Sequence, residues 1–267
     1  MRAQLVVGGY LAKVPRLTPA KVVALLAAML GAVVALGLAA PAASAETFSN
    51  NSPITINNGT CSSGQATTTT AGKASPYPST ITVTNSDFPE GSRITDVNVT
   101  VSGLSHVKAD DIGLLLVSPE GPDQKSVILM TDSGGFGLVS GINLTFDDAD
   151  SGPLPDNALL VSGTYLPSRG TVPIIINCGA PASFPEPAPA GPYGSTLSVF
   201  NDTNPNGTWN LYVIDDSNLD SGSISGVWSL DISAVPRTKD ACKKGGWKAF
   251  GYPDQGRCIT FVNENRS

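Results

Sequence analysis

Residues 93–121, RITDVNVTVSGLSHVKADDIGLLLVSPEG, and residues 206–233, NGTWNLYVIDDSNLDSGSISGVWSLDIS, decide how this chain folds. In the first block Val97, Val99 and Val101 alternate with Asn98 and Thr100, the two-residue period of a strand with one buried face. Residues 112–117, IGLLLV, are apolar on both faces, which predicts a central strand covered on both sides. In the second block Trp209, Leu211 and Val213 share one face, and Trp228, Leu230 and Ile232 share another. Both indoles are therefore expected as core anchors.

Outward from these blocks, residues 126–130 and 142–146 read as further short strands, set off by the GPDQ turn at 121–124 and the glycine-rich SGGFG at 133–137. Residues 178–194, CGAPASFPEPAPAGPYG, hold too many prolines for a central strand and predict a surface loop. No helix-period segment is read after residue 45. Short strands separated by frequent turns make the expected fold all-β, a sandwich or jelly roll.

The chain begins with Arg2, Lys13, Arg16 and Lys21, an apolar run over 22–38 and then Ala43-Ser44-Ala45. A basic stretch, an apolar stretch and small residues at the cut are the pattern of a secretory signal, so residues 1–45 are read as removed and the protein as secreted. The apolar run also approaches bilayer-spanning length, which keeps an uncleaved anchor as the rival reading. No later segment is long and apolar enough to span. Of 16 basic and 22 acidic residues, the signal holds four and none, leaving a net charge of −10. Such a surface argues against nucleic acid and anionic membranes, which require clustered Lys and Arg, and is compatible with cations.

Four cysteines in an exported chain imply disulfides, with three possible connectivities. Cys242 and Cys258 enclose one compact tail segment and are the favoured pair, which leaves Cys61 with Cys178. Zinc lacks ligands, since there is no C-x-x-C and one histidine, His106. The organisation expected is a signal at 1–45, a lead-in at 46–78 that is partly strand, a sandwich domain at 79–234 and a two-cysteine module at 235–267.

Acidic clusters at Asp110-Asp111, at Asp147, Asp148 and Asp150, and at Asp215, Asp216 and Asp220 fall in predicted turns. Calcium takes six to eight oxygens and suits such loops outside the cell. Asp110 or Asp111, together with Asp215, Asp216 and Asp220, is the expected Ca²⁺ site. The competing reading is that these aspartates cap turns through their own backbone. His106 is the sole candidate base for a Ser-His-Asp set, and no G-x-S-x-G elbow accompanies it, so catalysis is not expected.

Ser105-His106, Asp111-Ile112 and residues 116–121, LVSPEG, together resemble the H-x4-D-L…L-x-S-P-x-G signature of the P domain, or P/Homo B domain, of proprotein convertases and bacterial subtilases. The second block is similar to the same family in Gly207-x-Trp209-x-Leu211-x-Val213-x-Asp215, Asp220-x-Gly222-x-Ile224 and Trp228-Ser229-Leu230. The resemblance implies a jelly-roll sandwich of the galactose-binding-like type, and a domain that supports a neighbouring serine protease. The R-G-D tripeptide of many convertases would fall on Ala109-Asp110-Asp111 and is absent, and the preceding residues do not read as a protease domain. The tail, TKDACKKGGWKAFGYPDQGRCITFV at 238–262, resembles a short module that ends other exported bacterial proteins. It is expected to be a disulfide-closed hairpin with a small core of Trp247, Phe250 and Phe261.

The functional expectation is a non-catalytic binding module that recognises carbohydrate or a secreted protein through sandwich loops. The alternatives are an accessory domain for a separate secreted protease, and a serine endopeptidase by family association.

Overall fold

The computed structural model describes residues 44–59, 71–150, 152–169, 184–218 and 220–265. Residues 1–43, the Thr67 to Thr70 run, Cys61 and Cys178 lie outside these, and with them most of the segment read as a signal and the expected Cys61–Cys178 pair, whereas Ser44 and Ala45, at the end of that segment, pair with Ala234 and Ser233. Among the described residues no helix is long and apolar enough to cross a membrane.

Two β-sheets pack face to face, as the alternating blocks require. The spine of the first is β5 (Ser92–His106). Along one edge it pairs with β13 (Trp228–Pro236) and then with β12 (Gly222–Ile224); along the other it pairs with β8 (Val139–Phe146). Outer strands β1 (Ser44–Asn50), β2 (Ile54–Ile56) and β9 (Gly163–Tyr165) join β13, β12 and β8 respectively. In the second sheet β6 (Ile112–Val117) lies between β7 (Ser126–Thr131) and β11 (Gly207–Asp215). Beyond them come β10 (Ser168–Arg169) on β7, and β3 (Gly72–Lys73) and β4 (Ser79–Val83) on β11. The segment read as a lead-in thus supplies strands to both sheets.

One core fills the space between the sheets. Val97, Val99 and Val101 meet Leu114, Leu116, Leu211, Val213, Leu230 and Ile232 there. Trp209 and Trp228 are fully buried among them. Each buried indole N–H needs an acceptor: Trp228 donates to Ser79 Oγ at 2.9 Å and Trp209 to the Pro205 carbonyl at 3.0 Å. Burying a large aromatic side chain contributes about 1.5–3 kcal/mol by area alone, which suits the anchor role read from the sequence.

The alternate residues of β6 face the other way, and they too are covered. Leu115 and Val117 pack with Ile128, Tyr212 and Ile214 beneath Phe184 and Ala188 of the proline-rich loop. Hydroxyls of Tyr77 and Tyr212 donate to the carbonyls of Pro185 and Pro187 at 2.8 and 3.3 Å. The described part of that loop, from Phe184 onward, therefore forms the outer cover that makes β6 central. Strand β5 bends where Gly103 takes φ +73° and the register with β8 shifts, a conformation that glycine adopts without Cβ strain.

Two expectations are corrected in the tail. The Cys242–Cys258 disulfide is present, but the module is helical rather than a hairpin. A 3-10 turn at Gly246–Lys248 precedes α1 (Gln255–Glu264), a helix after residue 45 that the sequence reading did not anticipate. Asp254 caps α1 by accepting the Arg257 N–H at 2.8 Å. Cys258 and Val262, four apart, fall on one face and pack with Ala241, Cys242 and Phe250, while Trp247 and Phe261 lie half-buried at the edge.

Candidate functional site

The loops gather at two opposite ends of the sandwich. At one end β5 stops at His106 and β11 stops at Asp215, and these two side chains join the sheets: His106 Nε2 lies 3.2 Å from Asp215 Oδ2, both fully buried. His106 Nδ1 is 2.7 Å from the Lys108 carbonyl. The Lys108 N–H lies 3.2 Å from the same nitrogen, so the backbone of that turn offers Nδ1 both an acceptor and a donor. Burial lowers the pKa of His106, but the bond and charge of Asp215 outweigh that, and the net direction is upward. Gly222 permits this arrangement: a Cβ there would come within 2.4 Å of His106 Cδ2.

Lys108 occupies the middle of the acidic turns. Its Nζ lies 2.9 Å from Asp220 Oδ2 and 3.6 Å from Asp111 Oδ2, and the bond to Asp220 and the charges of both carboxylates raise its pKa against the opposing effect of burial. Asp215 Oδ1 accepts the Ser217 N–H at 2.8 Å, capping its own turn. Asp216 faces Asp132, Asp111, Asp215 and Asp110; burial first, and then those neighbours, push its pKa up to about 8. Burial likewise pushes Asp111 up to about 6, with Lys108 opposing.

The structure thus brings Asp111, Asp215 and Asp220 together, with Asp110 and Asp216 beside them, but around an ammonium and an imidazole. Among the described residues no three His, Cys, Asp or Glu side chains converge as ligands of one ion. A calcium ion held by Asp111 and Asp220 would have to displace Lys108, so the set does not fit the ion as it stands. The sequence reading paired acid with acid and overlooked Lys108, whose position three residues before Asp111 was the available signal. The cluster at Asp147, Asp148 and Asp150 serves as turn caps. Asp147 Oδ1 and Asp150 Oδ1 accept from Ala149 and Gly152, and the two Asp148 oxygens accept the N–H groups of Leu197 and Ser198.

Outside these turns the same end is apolar. The large hydrophobic side chains exposed among the described residues are Val107 (46%), Phe136 (64%), Leu138 (63%), Leu159 (57%) and Val161 (54%). They fall on loops that are tied together. Val107 follows and Leu138 precedes the last β5–β8 pair, His106 with Val139. The Ala109 and Asp110 N–H groups donate to the Gly137 and Gly135 carbonyls, and Gly134 and Gly135 donate to the Pro155 and Asp156 carbonyls. Leu159 lies against Gly137, where an added Cβ would come 2.7 Å from its Cδ1. The surface is a built one.

No family model matches this chain, and no curated protein does. The motifs read from the sequence are divided between the two ends of the sandwich. Of those, His106, Asp111 and Asp215 meet at the apolar end, and residues 118–121 lie at the other.

That other end holds a cleft of about 520 Å³ between the turn at 118–124, residues 90–93, residues 203–206 and the start of the tail. Glu90, Glu120, Asp123 and Asp240 line it with Arg93, and no aromatic ring does. It is polar and open, unlike the mostly apolar, aromatic-lined pockets that enclose small ligands.

Proposed function

We propose that this protein is a secreted, non-catalytic binding module that holds a protein partner through the loops carrying Val107, Phe136, Leu138, Leu159 and Val161. The observation that carries the reading is the gathering of these exposed side chains at one end of the sandwich, since such patches mark contact surfaces. Phe136 supplies the kind of aromatic anchor around which binding energy concentrates. A catalytic role for His106 finds no support: the ring is buried, and both nitrogens are engaged by the fold.

A separate secreted serine protease as the partner is a second reading, favoured by the P-domain-like motifs at 105–121 and 207–230. Carbohydrate would fall to the polar cleft at the far end, which lacks a ring for a sugar to stack on.

Capture from the culture medium of the producing cells, comparing the wild type with Phe136→Ser/Leu159→Ser, tests the proposal. A partner retained by the wild type and lost by the variant is expected. Identical captured sets would sink the reading.

A further inference from the structure

We infer that the two-cysteine tail is a second binding surface, separate from the apolar end, and that it takes an anionic polysaccharide. Charge is divided unevenly along the chain. Residues 46–236 hold five Lys or Arg against 19 Asp or Glu, a net −14, whereas residues 237–267 hold seven against three, a net +4. A basic module on an acidic body draws a polyanion to the module and keeps it off the rest.

The fold gathers these cations. Backbone N–H groups of Cys242, Lys243, Gly246 and Lys248 donate to the carbonyls of Lys239, Asp240, Lys243 and Gly245, which coils residues 239–248 into consecutive turns. The Cys242–Cys258 bridge, with Cα atoms 5.7 Å apart, then brings the backbone of Arg257 within about 13 Å of that of Lys243. Arg237 is taken by Asp202, and Lys243 by Asp240 at 2.7 Å. Asp254 caps α1, and Glu264 lies about 10 Å along the helix from Arg257. Glu90, Glu120, Asp123 and Asp240 line the polar cleft, which none of the tail's Lys or Arg does. Lys239, Lys244, Lys248 and Arg257 are exposed, and none of them is in an ion pair among the described residues.

Beside them stands the ring that the cleft lacks. Trp247 is partly exposed, and Lys248 Nζ lies 5.5 Å from its centre. A sugar can lay its C–H face on such a ring while its acid groups meet the cations. A bilayer would need apolar side chains to insert, and none of the large exposed hydrophobics belongs to the tail. Duplex DNA, with one charge per ~1.7 Å, would be repelled by the acidic sandwich behind the module.

Retention of the whole protein on agarose bearing polygalacturonate tests the inference, with plain agarose as the neutral control. Binding should weaken with added salt and fall about tenfold for Lys244→Ser/Lys248→Ser/Arg257→Ser, whose altered side chains are exposed and whose folding is checked by melting. It should tighten for Asp240→Asn, which frees Lys243. No retention, or equal retention of the wild type and the triple variant, would overturn the inference. Binding as tight to polyglutamate, to duplex DNA or to phosphatidylglycerol vesicles would overturn the choice of polysaccharide. Phe136→Ser/Leu159→Ser should be retained like the wild type; its release would assign the binding to the apolar end instead.

Discussion

At the residue scale, the molecule spends its only histidine and one lysine on neutralising carboxylates between the ends of two sheets. Removing Lys108 leaves the largely buried Asp111 and Asp220, which come from separate loops, without the ammonium between them. Lys108→Ala should lower unfolding free energy by about 1–2 kcal/mol in urea melts, below the full cost of breaking a buried pair because the lysine is about one-third exposed. With the ammonium in place, melting in millimolar Ca²⁺ and in EDTA should agree within about 1 °C. A calcium-dependent rise of several degrees would restore the ion site expected from the sequence.

The same residues set the pH dependence. An aspartate whose folded pKa is raised binds its proton more tightly when folded, so stability falls as pH climbs from the unfolded value near 4 through the folded one. For Asp111 that decline ends near 6, and for Asp216 near 8. His106, also raised, adds stability below its unfolded pKa and loses it as pH rises through its folded pKa. All three effects have one sign. The melting temperature should therefore be higher at about pH 5.5 than at about pH 8.5, and Asp216→Asn should flatten the upper part of that slope.

At the scale of single elements, β6 and the tail make opposite points. β6 is buried on both faces, so Leu115→Ala, under Phe184 and Ala188, should cost about 2–5 kcal/mol, comparable to Leu114→Ala in the main core. A one-sided strand would tolerate the outward change. The tail is a local unit closed by a bridge between cysteines 16 residues apart, a loop worth roughly 3 kcal/mol in the chain-entropy model. Cys242→Ser/Cys258→Ser should raise amide exchange across residues 241–262 while the sandwich strands stay protected.

At the scale of the whole molecule, β1 and β2 close the first sheet, and Phe48 of β1 packs on the core with its ring 5.9 Å from that of Phe88. A chain starting at Ser79 would lose both strands and uncover edges of β13 and β12. It should unfold at a markedly lower temperature and with reduced cooperativity than one that begins before Ser44, as calorimetry would read. The sandwich, the burial of Trp209 and Trp228, and the central place of β6 were legible because a two-residue period names the buried face wherever the strand goes. Helix α1 was not, because QGRCITFVNE is short and its apolar side chains line up only once Asp254 caps the turn and Cys258 is bridged to Cys242. Sequence by itself determined the all-β layering and the Cys242–Cys258 pair, since both depend on local pattern and short separation. Only the tertiary structure decided that Lys108 stands among the aspartates and that five exposed hydrophobic residues share one end, because those meetings join loops far apart in the chain, and no local period records which loops the two sheets bring together.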